Sequence, residues 1–168
     1  MYELETLLFY FIHYSFMGWI IEGIFNLLTK GSFSKPNFLL FPIKPMYGFT
    51  AILLIFSKQR LSFGLFLLAA IIFPTLVEYL TAWLMMRYFH IRFWDYSELP
   101  FNHYGYVCLT FSFYWVMLSA FLVYGVHPLV TVFHDFLSPA LPFVLPILVI
   151  GLLWDFATTL SRTLKQSI

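Results

Sequence analysis

Phe38-Leu39-Leu40-Phe41-Pro42-Ile43-Lys44-Pro45-Met46-Tyr47-Gly48 opens an apolar run that continues to Ser57. The run is long enough to cross a bilayer, yet Pro42, Lys44, Pro45 and Gly48 interrupt its first half. A helix cannot pass both prolines without losing backbone hydrogen bonds. The stretch therefore predicts a re-entrant or extended segment followed by a short helix from about Met46. Irregular backbone at membrane depth survives only where protein or water satisfies it, and interrupted spans often mark transporter binding sites. An interfacial loop before a short, steep helix is an equal alternative.

Outward from this stretch, four more apolar runs are each long enough to cross about 30 Å of hydrocarbon. They cover about Thr6–Leu28, Leu61–Arg87, Gly105–Gly125 and Pro139–Ser161, with His127-Pro128 expected to begin the connection after the third of them. Of 168 residues, 61% are hydrophobic and 23% aromatic, and 10% are charged. Soluble domains carry about 25% charged residues. The expectation is all-α: a polytopic membrane helix bundle of about five transmembrane helices, with one broken or re-entrant segment at 38–57. It forms one integral membrane domain over 1–168. The acidic start Met1-Tyr2-Glu3-Leu4-Glu5 does not resemble a signal peptide, so the first span is expected to be retained. A net charge of +1 offers no basic surface for nucleic acid. Cys108 is the single cysteine, which leaves no internal disulfide and no Cys-based metal site.

Three acids lie inside the apolar runs: Glu22, Glu78 and Asp155. A carboxylate at the bilayer centre costs roughly 3 kcal/mol on insertion scales, and such residues face a protein interior or a wet cavity. Glu22 is eight residues before Lys30, Glu78 nine before Arg87 and Asp155 seven before Arg162. At about 1.5 Å of rise per residue, each lies some 10–14 Å in from a basic helix end. The matching depths predict one acidic cavity. A purely structural role, with three acids tying helices together, remains open beside it. Pro74, one turn before Glu78, is expected to bend its helix.

With five spans, the Lys30–Lys44 loop, the Arg87–Asn102 loop and the C-terminus share one side. That side holds seven of the nine Lys and Arg, against Lys58 and Arg60 opposite. Positive charge marks the cytoplasm, which predicts the N-terminus outside and the C-terminus inside. The loop Arg92-Phe93-Trp94-Asp95-Tyr96-Ser97-Glu98 with Asn102 is the most polar connection. Its Trp and Tyr suit a membrane interface, while Asp95 and Ser97 also suit an ordinary turn or cap.

The chain carries no Gly-x-x-x-x-Gly-Lys-Ser/Thr loop, no His-Glu-x-x-His and no Gly-x-Ser-x-Gly. It is not expected to bind ATP by itself or to be an enzyme of the commonest hydrolase types. No cofactor is implied and no metal ligand is assigned. The three acids could hold a hard cation, pass protons or hold a cationic or hydroxylated substrate.

Gly18-Trp19-x-x-Glu22, Pro42-x-x-Pro45-Met46-Tyr47-Gly48, Glu78-Tyr79-x-x-x-Trp83 and Trp94-Asp95-Tyr96-Ser97 occur in that order, followed by Asn102, Gly105 and His127-Pro128. This ordered set, over roughly residues 8–128, resembles the CmpB-type ABC-transporter permease (type IV) family of bacterial membrane proteins. The resemblance implies a multi-pass plasma-membrane permease component that moves an unidentified small solute. Its energy would come from a separate nucleotide-binding subunit or from protons, and a homo-oligomer is compatible with it. The motif residues that carry over are Trp19, Glu22, Tyr47, Glu78, Asp95, Tyr96, Ser97 and Asn102; Asp155 joins them on depth alone. A membrane-embedded lipid-modifying enzyme and a non-catalytic assembly partner stand as the alternatives.

Overall fold

The computed structural model describes residues 3–33 and 36–166. Ser34 and Lys35, in the linker after the first span, lie outside the described residues. Among the described residues the regular structure is helical apart from one small hairpin. Helix α1 covers Leu4–Lys30, α2 Pro45–Arg60, α3 Phe63–Phe89, α4 Leu109–Ala120, α5 His127–Leu137 and α6 Leu141–Gln166. A π-helical turn, Phe121–Val126, joins α4 to α5. Strands β1 (Asn102–His103) and β2 (Val107–Cys108) pair antiparallel, Asn102 opposite Cys108.

Among the described residues, four helical stretches have the length and apolar composition of membrane spans: Leu4–Lys30, Phe63–Phe89, Leu109–Leu137 and Leu141–Lys165. The outer surface agrees. Phe143, Ile147, Ile150 and Trp154 follow one stripe of α6, and all four side chains are exposed. A stripe of that size is at home against lipid tails. The chain is a multi-pass helical membrane protein. As expected for the broken stretch, 37–44 is non-helical and a short helix follows. Pro45 takes the first position of α2, where its missing N–H costs nothing.

One expected boundary moves. His127-Pro128 does not end the third long span, which continues to Leu137. Proline in a helix clashes with the carbonyl four residues earlier and cannot donate to it. The π-helical turn just before Pro128 relaxes that spacing: the His127 N–H donates to the Leu122 carbonyl, five residues back. The connection shrinks to Ser138-Pro139-Ala140. Likewise α3 continues through the buried Pro74 without a break.

The chain divides into two compact units. The first holds the described residues up to Gly48 and those from His134 onward. In it, α1 packs against α6, and Phe9 and Tyr10 contact the His134 ring at 5.1 and 5.8 Å between centroids. Gly18 lets the Tyr47 ring lie directly on α1, since a Cβ there would overlap the ring. The second unit, Phe49–Phe133, is built on α3 against α4. Leu54, Phe66, Ala70 and Val123 form its core, flanked by Leu67 and Leu122.

Candidate functional site

In the first unit the broken stretch is fastened at two places by buried acids. The Asp155 carboxylate accepts the N–H of Leu40 at 3.1 Å through Oδ1 and that of Phe41 at 2.8 Å through Oδ2. The Thr159 hydroxyl donates to Oδ1 at 3.1 Å. Asp155 is 2% exposed. Three residues beyond Phe41, the Lys44 Nζ lies 2.8 Å from Glu22 Oε2 on α1. Both side chains are nearly buried, and the Lys44 backbone N–H donates to the Ser15 carbonyl at 2.9 Å. Asn37 secures the stretch internally by donating to the carbonyls of Phe41 and Ile43 at 2.9 and 3.2 Å. Non-helical backbone at membrane depth needs such partners, because lipid supplies none. Trp19 packs edge-on against Phe33 with 5.2 Å between ring centroids, and Tyr47 covers Gly18.

The second unit is arranged around Glu78, which is 3% exposed on α3. The Tyr96 hydroxyl donates to Oε1 at 2.9 Å, and the Trp115 indole N–H donates to Oε2 at 2.9 Å. Tyr96 also stacks on Phe111 at 4.6 Å between centroids. Nearby, Thr75 on α3 donates to Ser112 on α4 at 3.0 Å, and Ser112 donates to the Cys108 carbonyl.

The rest of the polar loop holds Tyr96 in place. Asp95 Oδ1 accepts the Ser97 N–H at 2.9 Å, and Oδ2 accepts the Arg92 guanidinium. The Ser97 N–H and hydroxyl, then Arg92, hold the Asp95 carboxyl below the usual carboxylate range. Asn102 donates to the carbonyls of Ser97 and Leu99 and accepts the Gly105 N–H. The Trp94 indole donates to the Tyr106 carbonyl at 2.8 Å, and the Tyr96 N–H donates to the Gly105 carbonyl at 2.9 Å. Tyr104 and Gly105 both have positive φ, 53° and 71°, in the three-residue connection 104–106 between the strands, where the Tyr106 N–H donates to the His103 carbonyl at 3.0 Å. Gly105 is required twice over, since a Cβ would also come within 2.6 Å of Asp95 Oδ1. Asp95, Ser97 and Asn102 thus act as turn and hairpin residues, and Tyr96 is the member of the motif that reaches an intramembrane acid.

Of the sequence-derived residues, Trp19, Glu22, Tyr47 and Asp155 belong to the first unit, while Glu78, Asp95, Tyr96, Ser97 and Asn102 belong to the second. Glu22 and Asp155 are linked through the broken stretch. Three partners of the acids were not singled out by the sequence: Lys44, Trp115 and Thr159. Lys44 counts in the sequence as one of the loop charges, although a lysine between two prolines inside an apolar run is itself a signal. Trp115 lies within the apolar run Gly105–Gly125, three residues after Ser112. Among the described residues, no three His, Cys, Asp or Glu side chains group as metal ligands.

Neither a curated protein nor a solved structure matches the chain. A family model matches residues 9–160, which include every residue of both sites. The chain belongs to the family described as "Putative ABC-transporter type IV".

Proposed function

We propose that this chain is the permease component of a plasma-membrane transporter for a small solute. It works as one integral membrane domain with its N-terminus outside and its C-terminus in the cytoplasm. Its energy comes from a separate nucleotide-binding subunit. The family assignment supports a transport role; the seven-to-two division of Lys and Arg supports the orientation with the broken stretch and the 16-residue α2 crossing as a fifth span beside the four long ones. The solute meets Glu22, Asp155, Trp19 and Tyr47 in one unit. It meets Glu78 and Tyr96 in the other, where Asp95, Ser97 and Asn102 position the tyrosine.

The observation that carries the reading is the Lys44–Glu22 ion pair on an interrupted membrane segment. Charges inside a bilayer are costly and are retained chiefly along solute or ion paths. Helix glue alone would be served by neutral hydrogen-bonding side chains at lower cost.

The test uses inside-out membrane vesicles from cells producing the chain and from cells lacking it. Each is energised with ATP or with an imposed proton gradient, and the vesicle contents are compared by mass spectrometry. One class of small solute should change, unmodified, only where the chain and its energy source are present. Identical contents in every arm, or a chemically altered lipid, would contradict transport.

A further inference from the structure

We propose that the interrupted segment Leu40–Lys44 is a receptor for a carboxylate or phosphate group on the transported solute, and that Asp155 and Glu22 occupy it as internal stand-ins. The inference rests on the permease reading and adds the substrate class.

The donor set has the chemistry of an anion site. Two successive backbone N–H groups, from Leu40 and Phe41, converge on the two oxygens of one carboxylate. Two neighbouring backbone N–H groups aimed at one carboxylate are donors that another anion could accept from equally. The Lys44 ammonium follows on the same segment and holds a second carboxylate at 2.8 Å. The segment therefore binds two carboxylates already, and both come from its own chain. Asp155 lies 114 and 115 residues away in sequence from the N–H groups it accepts. No local turn requires that contact. A continuous helix would satisfy the same N–H groups through its own carbonyls, without a buried acid and at lower cost. The proline-broken segment instead leaves them to an acid on another helix, a bond that can exchange for another anion.

The exchange forms and breaks no covalent bond. An incoming carboxylate or phosphate takes the Lys44 ammonium or the Leu40 and Phe41 N–H pair, and the displaced carboxylate turns away. Internal and external anions compete for the same donors, so weakening the internal one strengthens binding of the other.

The test is calorimetric titration of the full-length chain in neutral detergent with sodium succinate or inorganic phosphate, against sodium chloride of matched ionic strength. The proteins are wild type, Glu22→Gln, Asp155→Asn and the double variant Glu22→Gln/Lys44→Met. Glu22→Gln removes the stand-in charge and should bind succinate or phosphate about tenfold more tightly than wild type, near the low end of typical coupling. The double variant should lose that gain. No saturable binding by any of the proteins, or a gain that survives in the double variant, would overturn the proposal. Repeating the titrations in nanodiscs distinguishes a lipid source. Occupation by phosphatidylglycerol, with no response to soluble anions in phosphatidylcholine discs, would also overturn it.

If the variants fail to fold, wild type titrated to high succinate decides. Saturation with altered hydrogen exchange confined to peptides covering 37–44 supports the site, and no saturation refutes it. Anion binding without solute movement would leave the site standing and remove the permease reading. Transport of an uncharged solute without anion binding would do the reverse.

Discussion

Lys44 Nζ lies 2.8 Å from Glu22 Oε2, with both side chains almost withdrawn from solvent. The pair joins a helix to the non-helical segment beside it, so its loss acts on the fold of that segment as well as on local charge. Removing one member of a buried pair leaves the other charge stranded and costs about 3–5 kcal/mol. Lys44→Met should therefore lower stability by that order in detergent unfolding. The uncharged double variant Glu22→Gln/Lys44→Met should recover much of the loss. Equal stability of Lys44→Met and wild type would mean that the pair carries no net weight.

Tyr96 and Glu78 form the corresponding relationship in the other unit. The tyrosine hydroxyl donates to a buried carboxylate at 2.9 Å, and hydrogen bonds to charged groups contribute about 1.5–3 kcal/mol. Tyr96→Phe should destabilise by that order. A double-mutant cycle with Glu78→Gln should show coupling above about 0.5 kcal/mol. Strictly additive effects would mean that the contact carries no energy of its own.

Asp95 gives the hairpin region a pH dependence of known sign. Its carboxyl lies below the usual carboxylate range because it accepts the Ser97 N–H and hydroxyl and pairs with Arg92. A depressed folded-state pKa contributes stability that is fully present above the unfolded value, about 3.9. That contribution fades as the pH falls through the folded value. Hydrogen exchange of peptides covering 92–106, corrected for intrinsic rates, should show protection falling below about pH 4. Asp95→Asn should remove the acid-dependent step. An unchanged step in that variant would assign it to another group.

Orientation is tested by thiol labelling. With Cys108 replaced by serine, a cysteine at Glu98 should resist membrane-impermeant reagents in intact cells. A cysteine at Gln59 should react. The reverse pattern would invert the topology.

Much of the fold was legible because long apolar runs and proline positions act locally. Pro42 and Pro45 exclude a continuous helix whatever surrounds them, and the non-helical stretch with a helix from Pro45 follows. His127-Pro128 misled for the complementary reason. The proline constrains only the conventional helical hydrogen-bond spacing, and a π-helical turn evades that constraint without a sequence signature. The acids were legible as costs, since a carboxylate in an apolar run needs partners. Their partners were not. Lys44 reads as a loop charge until the chain folds it onto Glu22. Nothing near Leu40 or Phe41 indicates that their N–H groups are satisfied by an aspartate more than a hundred residues later. Such contacts depend on tertiary geometry, which local pattern does not contain.

The most direct test of the central claim compares transport by wild type, Glu22→Gln and Glu78→Gln in the same energised vesicles, at matched membrane abundance. Glutamine keeps the size of the side chain and one acceptor oxygen, but Glu22→Gln strands the Lys44 charge at a cost of about 3–5 kcal/mol, so the comparison is made on protein whose fold has been verified. Both variants should lose movement of the solute class that wild type moves. Full transport by either variant, with normal abundance and fold, would show that its carboxylate is structural and contradict a solute path through these acids.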